Sequence, residues 1–116
     1  MTQVEPEPPR TYASRAMDAT YARYNAIRKQ TFDTLNDALI AIQPIEESGD
    51  DPRLPLADRA FHTQCAAALY SEMAHRALDG RWGKTRGLPS AMAQADRAAE
   101  RAIEMQQQVF EAARTH

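Results

Sequence analysis

Two short stretches of the chain carry residue types and spacings that could do chemistry. The first is DGRWGKTRG, residues 79–87, where the single tryptophan, Trp82, stands among Arg81, Lys84 and Arg86. Gly83-Lys84-Thr85 has the ending of a phosphate-binding loop, in which backbone N–H groups cradle phosphate oxygens and the lysine reaches them. The full motif needs a further glycine five positions before Gly83, and Leu78 stands there. It also needs a strand leading into the loop, whereas the preceding residues read as a helix. The stretch therefore reads first as a helix connection, its cations near the carboxyl end of a helix where the dipole favours them. Two working roles stand behind that reading. One is a protein contact. The other is a nucleic-acid patch over residues 76–86, with cations on phosphates and Trp82 and tyrosines stacking on bases.

The second stretch is ALYSEMAHRAL, residues 68–78. Glu72 and His75 stand three apart on one helix face, the Glu-x-x-His element of carboxylate-bridged di-iron bundles. Such sites also draw carboxylates from facing helices. The segment before offers Asp18, Asp33 and Asp37 but no glutamate, and the segment after has no second Glu-x-x-His. Glu72 and His75 are thus weak metal candidates, and no cofactor is expected. His62 and Cys65 share the same spacing, but two ligands on one turn do not close a zinc site. Cys65 falls in an apolar stripe and reads as a small hydrophobe; His62 falls at its edge and is expected in solvent. No Ser-His-Asp order or base-flanked cysteine marks a catalytic centre, so a non-catalytic protein is expected, with an enzyme as the rival.

The elements that position these residues are helical. Alanine makes up about a fifth of the 116 residues while glycine numbers only four, a balance that favours helix. The net charge of −2 gives no general attraction to nucleic acid or to anionic lipid. One cysteine allows no internal disulfide, as in a reducing compartment. The opening MTQVEPEPPR lacks a secretory pattern, and the longest apolar run, CAAALY, is too short for a membrane span. A cytoplasmic protein without membrane contact is the expectation.

Residues 1–10, rich in proline and charge, read as a flexible arm before a single domain over 11–116. No glycine or proline interrupts 11–43, where Met17, Tyr21, Tyr24, Phe32, Leu35, Leu39 and Ile42 recur at helical spacing. That predicts one helix, roughly 48 Å long at about 1.5 Å per residue. A loop over 44–55 follows, then helices over 56–79 and 90–114. The helix over 56–79 carries a second apolar stripe, Phe61, Cys65, Ala68 and Leu69, so it should be the middle helix or part of an oligomer seam. The fold expected is all-α: an up-down-up antiparallel three-helix bundle whose long first helix overhangs by roughly 10 Å. Narrow alanine seams bury little area, so assembly as a homodimer, or a larger helical bundle, is expected.

Antiparallel pairing would set residue 21 near 77. It would gather Arg10, Arg15, Arg23, Arg76, Arg81, Lys84 and Arg86 at one end, with Glu46, Glu47, Asp50 and Asp51 at the other. It would also set Arg28, on the apolar face of the first helix, beside Glu72 as a buried ion pair fixing register or pairing. The alternative is an Arg28 that lays its stem on the core and reaches outward. These features favour a small adaptor, immunity or scaffold-type protein that binds another macromolecule. Its contact residues would be aromatics and cations: Tyr12, Tyr21, Tyr24, Arg81, Trp82, Lys84 and Arg86.

Overall fold

The structure, a computed structural model, describes residues 9–83 and 87–114. Four helices follow one another: α1 (Pro9–Lys29), α2 (Leu35–Gly49), α3 (Leu56–Leu78) and α4 (Leu88–Arg114). No strand occurs among the described residues. The all-α expectation holds, but the helix count is four because the predicted first helix is two.

The break falls at residues 30–34. Thr31, Asp33 and Thr34 form helix weakly, because their side chains compete for nearby backbone groups. Thr34 is extended, with φ −135° and ψ 158°, and its hydroxyl accepts the Asp37 backbone N–H at 3.0 Å. It is the N-cap of α2. The carbonyls freed where α1 ends are taken by Arg76 of α3, whose guanidinium donates to Arg28 O at 2.7 Å and Gln30 O at 2.9 Å.

The loop predicted from Pro44 is also shorter than expected. The helix runs through Pro44 to Gly49. An interior proline removes a hydrogen bond and crowds the preceding turn, at a cost of about 3 kcal/mol. Ile42 and Ile45, on either side of it, are fully buried and hold α2 on α3 across the defect. Gly49 is buried where α2 crosses α3, and a Cβ there would run into the Thr63 hydroxyl.

The doubled-back first segment changes the topology to up-down-up-down. Thr20 of α1 meets His62, and the end of α1 meets Arg76, so α1 runs parallel to α3. Gly49 lies at Thr63 and Leu35 near Gly87, so α2 is antiparallel to α3. Gln106 contacts Gln64, and Met92 and Asp96 lie by His75, so α4 is antiparallel as well. α3 is the middle helix, in contact with each of the other three, while α4 packs chiefly on α3 alone. That α3–α4 seam is largely alanine: Ala60, Ala67 and Ala74 face Ala91, Ala98 and Ala102, with Met105 the one large buried side chain of α4.

The result is flat. Its extents are 57 × 44 × 17 Å, about two helices deep at the usual spacing of roughly 10 Å. The radius of gyration is 16.6 Å, against about 13 Å for a compact chain of this size.

Candidate interaction face

α3 is covered by α2 on one side and flanked by α1 and α4; its remaining side is open. On the α1 side, Tyr21, Tyr24, Asn25 and Arg28 of α1 and Phe61, Gln64, Cys65 and Ala68 of α3 form a groove of about 420 Å³. On the α4 side, Ser71, His75 and Leu78 of α3 form a cleft with Met92, Ala95 and Asp96. Gln64 lines the groove and also meets Gln106 of α4 at 3.5 Å, so the two depressions belong to one face. Met92, Ala99, Ile103 and Phe110 fall on one stripe of α4 by the helical period, turned toward this face by Met92 and Gln106. Apolar side chains stand exposed along it: Tyr21 at 61%, Ile103 at 59% and Phe110 at 68%.

Apolar spacing alone would put Met92, Ile103 and Phe110 on the same face of α4 as its alanines. The structure separates two stripes there. Ala91, Ala98, Ala102 and Met105 face α3, and the larger apolar residues lie just outside the seam. The second stripe of α3 is likewise divided. Leu69 is buried, Phe61 and Cys65 are half-buried, and Ala68 is exposed as groove floor. Burial pushes the Cys65 thiol above its ordinary pKa, which keeps it protonated.

Of the seven expected contact residues, the structure brings Tyr21 and Tyr24 together in the groove, with the Arg28 guanidinium 5.5 Å from the Tyr24 ring centre. Tyr12 is elsewhere, at the far end of α1. Its hydroxyl donates to Asp51 Oδ2 at 2.5 Å, and Arg53 lies 4.7 Å from its ring centre while also donating to Asp51. Hydrogen bonds from Arg53 and Tyr12 hold Asp51 well below the usual carboxylate range, and the bond to Asp51 raises Tyr12. This cluster ties the start of α1 to the α2–α3 connection. Trp82 is half-buried against the core, and its indole N–H donates to Phe32 O at 2.7 Å. Arg81 is exposed. Lys84 and Arg86 lie outside the described residues.

The DGRWG stretch is resolved as a helix stop. Gly80 has φ 82° and Gly83 φ 69°. Gly80 N–H donates to Ala77 O and Arg81 N–H to Arg76 O, the paired bonds of a Schellman cap with glycine in the left-handed position. The expected basic end is not gathered whole: among the described residues Arg76 and Arg81 stay together where α3 ends, while Arg15 parts from them. With α1 parallel to α3, Arg15 lies at the opposite end from Arg76. The acidic residues near it are engaged by cations instead, Asp50 by Arg101 and Asp51 by Arg53.

The Arg28–Glu72 pair is not formed either. Arg28 is exposed on the groove rim, and Glu72 pairs with Arg76 one turn along α3 at 3.5 Å. The reversal at 30–34 gives α1 its own register, and its buried line is Thr20 and Ile27. His75 Nδ1 donates to Ser71 O at 2.8 Å, while Glu72 is engaged by Arg76. Among the described residues no three His, Cys, Asp or Glu side chains converge as a metal-ligand group. His62, expected in solvent, is fully buried under α1, with Nδ1 2.7 Å from Thr20 Oγ1.

Fold and face together define an all-helical, four-helix protein with one apolar face open. No helix among the described residues is long and apolar enough to cross a membrane. No protein-family model, curated protein or solved structure matches the chain.

Proposed function

We propose that this is a small, non-catalytic cytoplasmic protein of adaptor, immunity or scaffold type that acts by binding another protein on the open face of α3. The observation that carries the reading is the set of exposed apolar side chains on this face, Tyr21 beside the Ala68 groove floor and Ile103 and Phe110 on α4. Apolar surface exposed together on one face marks interaction sites. Aromatic anchors beside an arginine, here Tyr21, Tyr24 and Arg28, are the residue types that dominate binding energy.

A photo-crosslinking residue placed at position 21 tests it, with position 37 on the exposed side of α2 as control. Discrete protein adducts are expected from 21 and not from 37, and Phe110→Glu should abolish them. Equal capture from both positions, or none from 21, would refute the reading.

A further inference from the structure

The open face is built to receive a second copy of itself, and we infer that its occupant is a second molecule of this chain related by a two-fold axis parallel to α3. This rests on the face being a protein-binding surface, and it names the partner. Two features of the face carry it.

The first is shape. On one side of α3 lies a groove, lined by Tyr21, Tyr24, Phe61 and Ala68; on the other stands a ridge, the exposed Ile103 and Phe110 of α4. A two-fold axis along the helices exchanges left and right, so the ridge of each copy enters the groove of the other. A two-fold axis across the helices leaves each side on its own counterpart, ridge against ridge. Isologous association requires one patch to be complementary to itself, and only the first axis achieves that.

The second is charge. Register along α3 is fixed by Thr20 at His62, the end of α1 at Arg76, Gln106 at Gln64, and Met92 with Asp96 beside His75. Arg28 at the upper rim of the groove thus lies within about one helical turn, roughly 6 Å, of the level of Asp96 beside the upper end of the ridge, within reach of an arginine side chain. Asp18, three residues before Tyr21, is level with the lower end of the ridge, where Arg114 follows Phe110 by one turn. All four are exposed. Going up the molecule, α1 reads acid, aromatic, base, and α4 reads base, apolar, acid. Under the parallel axis Arg28 meets Asp96 of the second copy, and Asp18 meets its Arg114. Complementary rims of this sort set orientation and suppress other pairings. A face on a molecule 57 by 44 Å across also has room for the roughly 800 Å² per partner of a standard interface.

Sedimentation equilibrium on the purified chain, across about 1 to 200 μM, tests the proposal, with circular dichroism confirming unchanged helix content in every variant. A dimer is expected. Ile103→Asp should give a monomer. Arg28→Asp and Asp96→Arg should each weaken self-association on the order of a hundredfold by placing like charges together, and the double variant R28D/D96R should restore it. Rescue by R28D/D18R instead would place the axis across the helices and overturn the arrangement. A monomer throughout the range, or a dimer insensitive to Ile103→Asp, would overturn the proposal. The crosslinking result from position 21 would then decide separately whether the face binds a different protein.

Discussion

Two polar side chains of α3 are buried with an atom left unpaired: Nε2 of His62 and the hydroxyl of Tyr70. Burial depresses the His62 pKa, against the smaller upward pull of the Asp58 and Asp51 charges. The unfolded chain, with its histidine near the ordinary value of about 6.5, therefore takes up the proton first as pH falls. The sign follows: the contribution is fully present above that value and is lost progressively below it. The midpoint of thermal unfolding should drop between pH 7.5 and pH 5, and His62→Gln should flatten the dependence, as read by circular dichroism. Tyr70 has its ionisation pushed up by burial first and by the Glu46 carboxylate second, though Glu46 does not reach hydrogen-bond geometry. An orphaned buried hydroxyl is a standing cost, so Tyr70→Phe should raise stability by about 1 kcal/mol in urea titration.

Among the elements, α1 depends on capping from afar. Its own buried line is short, and two of its terminal carbonyls are held by Arg76, whose side chain is only 14% exposed. Arg76→Ala should cost about 2 kcal/mol, the range for hydrogen bonds from a charged donor, and amide exchange should speed up first around residues 28–34. At the α2–α3 crossing, Gly49→Ala should cost about 1–3 kcal/mol by overpacking, because the new Cβ would meet the Thr63 hydroxyl and lie 3.2 Å from the Thr63 amide nitrogen. Adding Thr63→Ala should recover part of that loss, a coupling that a double-mutant cycle measures. Helix content and the central place of α3 were legible in alanine-rich periodicity. The reversal at 30–34 was not, because no glycine or proline marks it. Its available signal was Thr34 three residues before Asp37, a capping pattern masked by apolar spacing that continues through it. Pro44 misled in the other direction, since a proline stops a helix only where packing does not carry it across. Once α1 folds back, the expectations built on its register change: Arg15 parts from Arg76, and Arg28 does not reach Glu72. His62, placed in solvent from its position at the edge of an α3 stripe, is buried because α1 covers it. Tyr21 and Tyr24, read from their spacing as part of an apolar stripe, line the groove between α1 and α3 instead.

For the whole molecule, flatness is the governing property. A chain that spreads to 57 × 44 × 17 Å leaves more of its apolar surface in water than a rounder one. If that surface is covered by a second copy, stability becomes linked to concentration by mass action. The unfolding midpoint should rise across a hundredfold increase in protein concentration in the wild type and stay constant in Ile103→Asp, by scanning calorimetry. At the end of the slab where the chain turns, the indole of Trp82 bridges two reversals, reaching from the α3–α4 connection to Phe32 in the α1–α2 connection. The chain has no other tryptophan. Light emitted after excitation at the red edge of the absorption band therefore comes from one spot, where loosening of either turn would let solvent in and shift the emission to longer wavelength. The protein thus carries its own optical gauge of whether its two hairpins open together or one before the other.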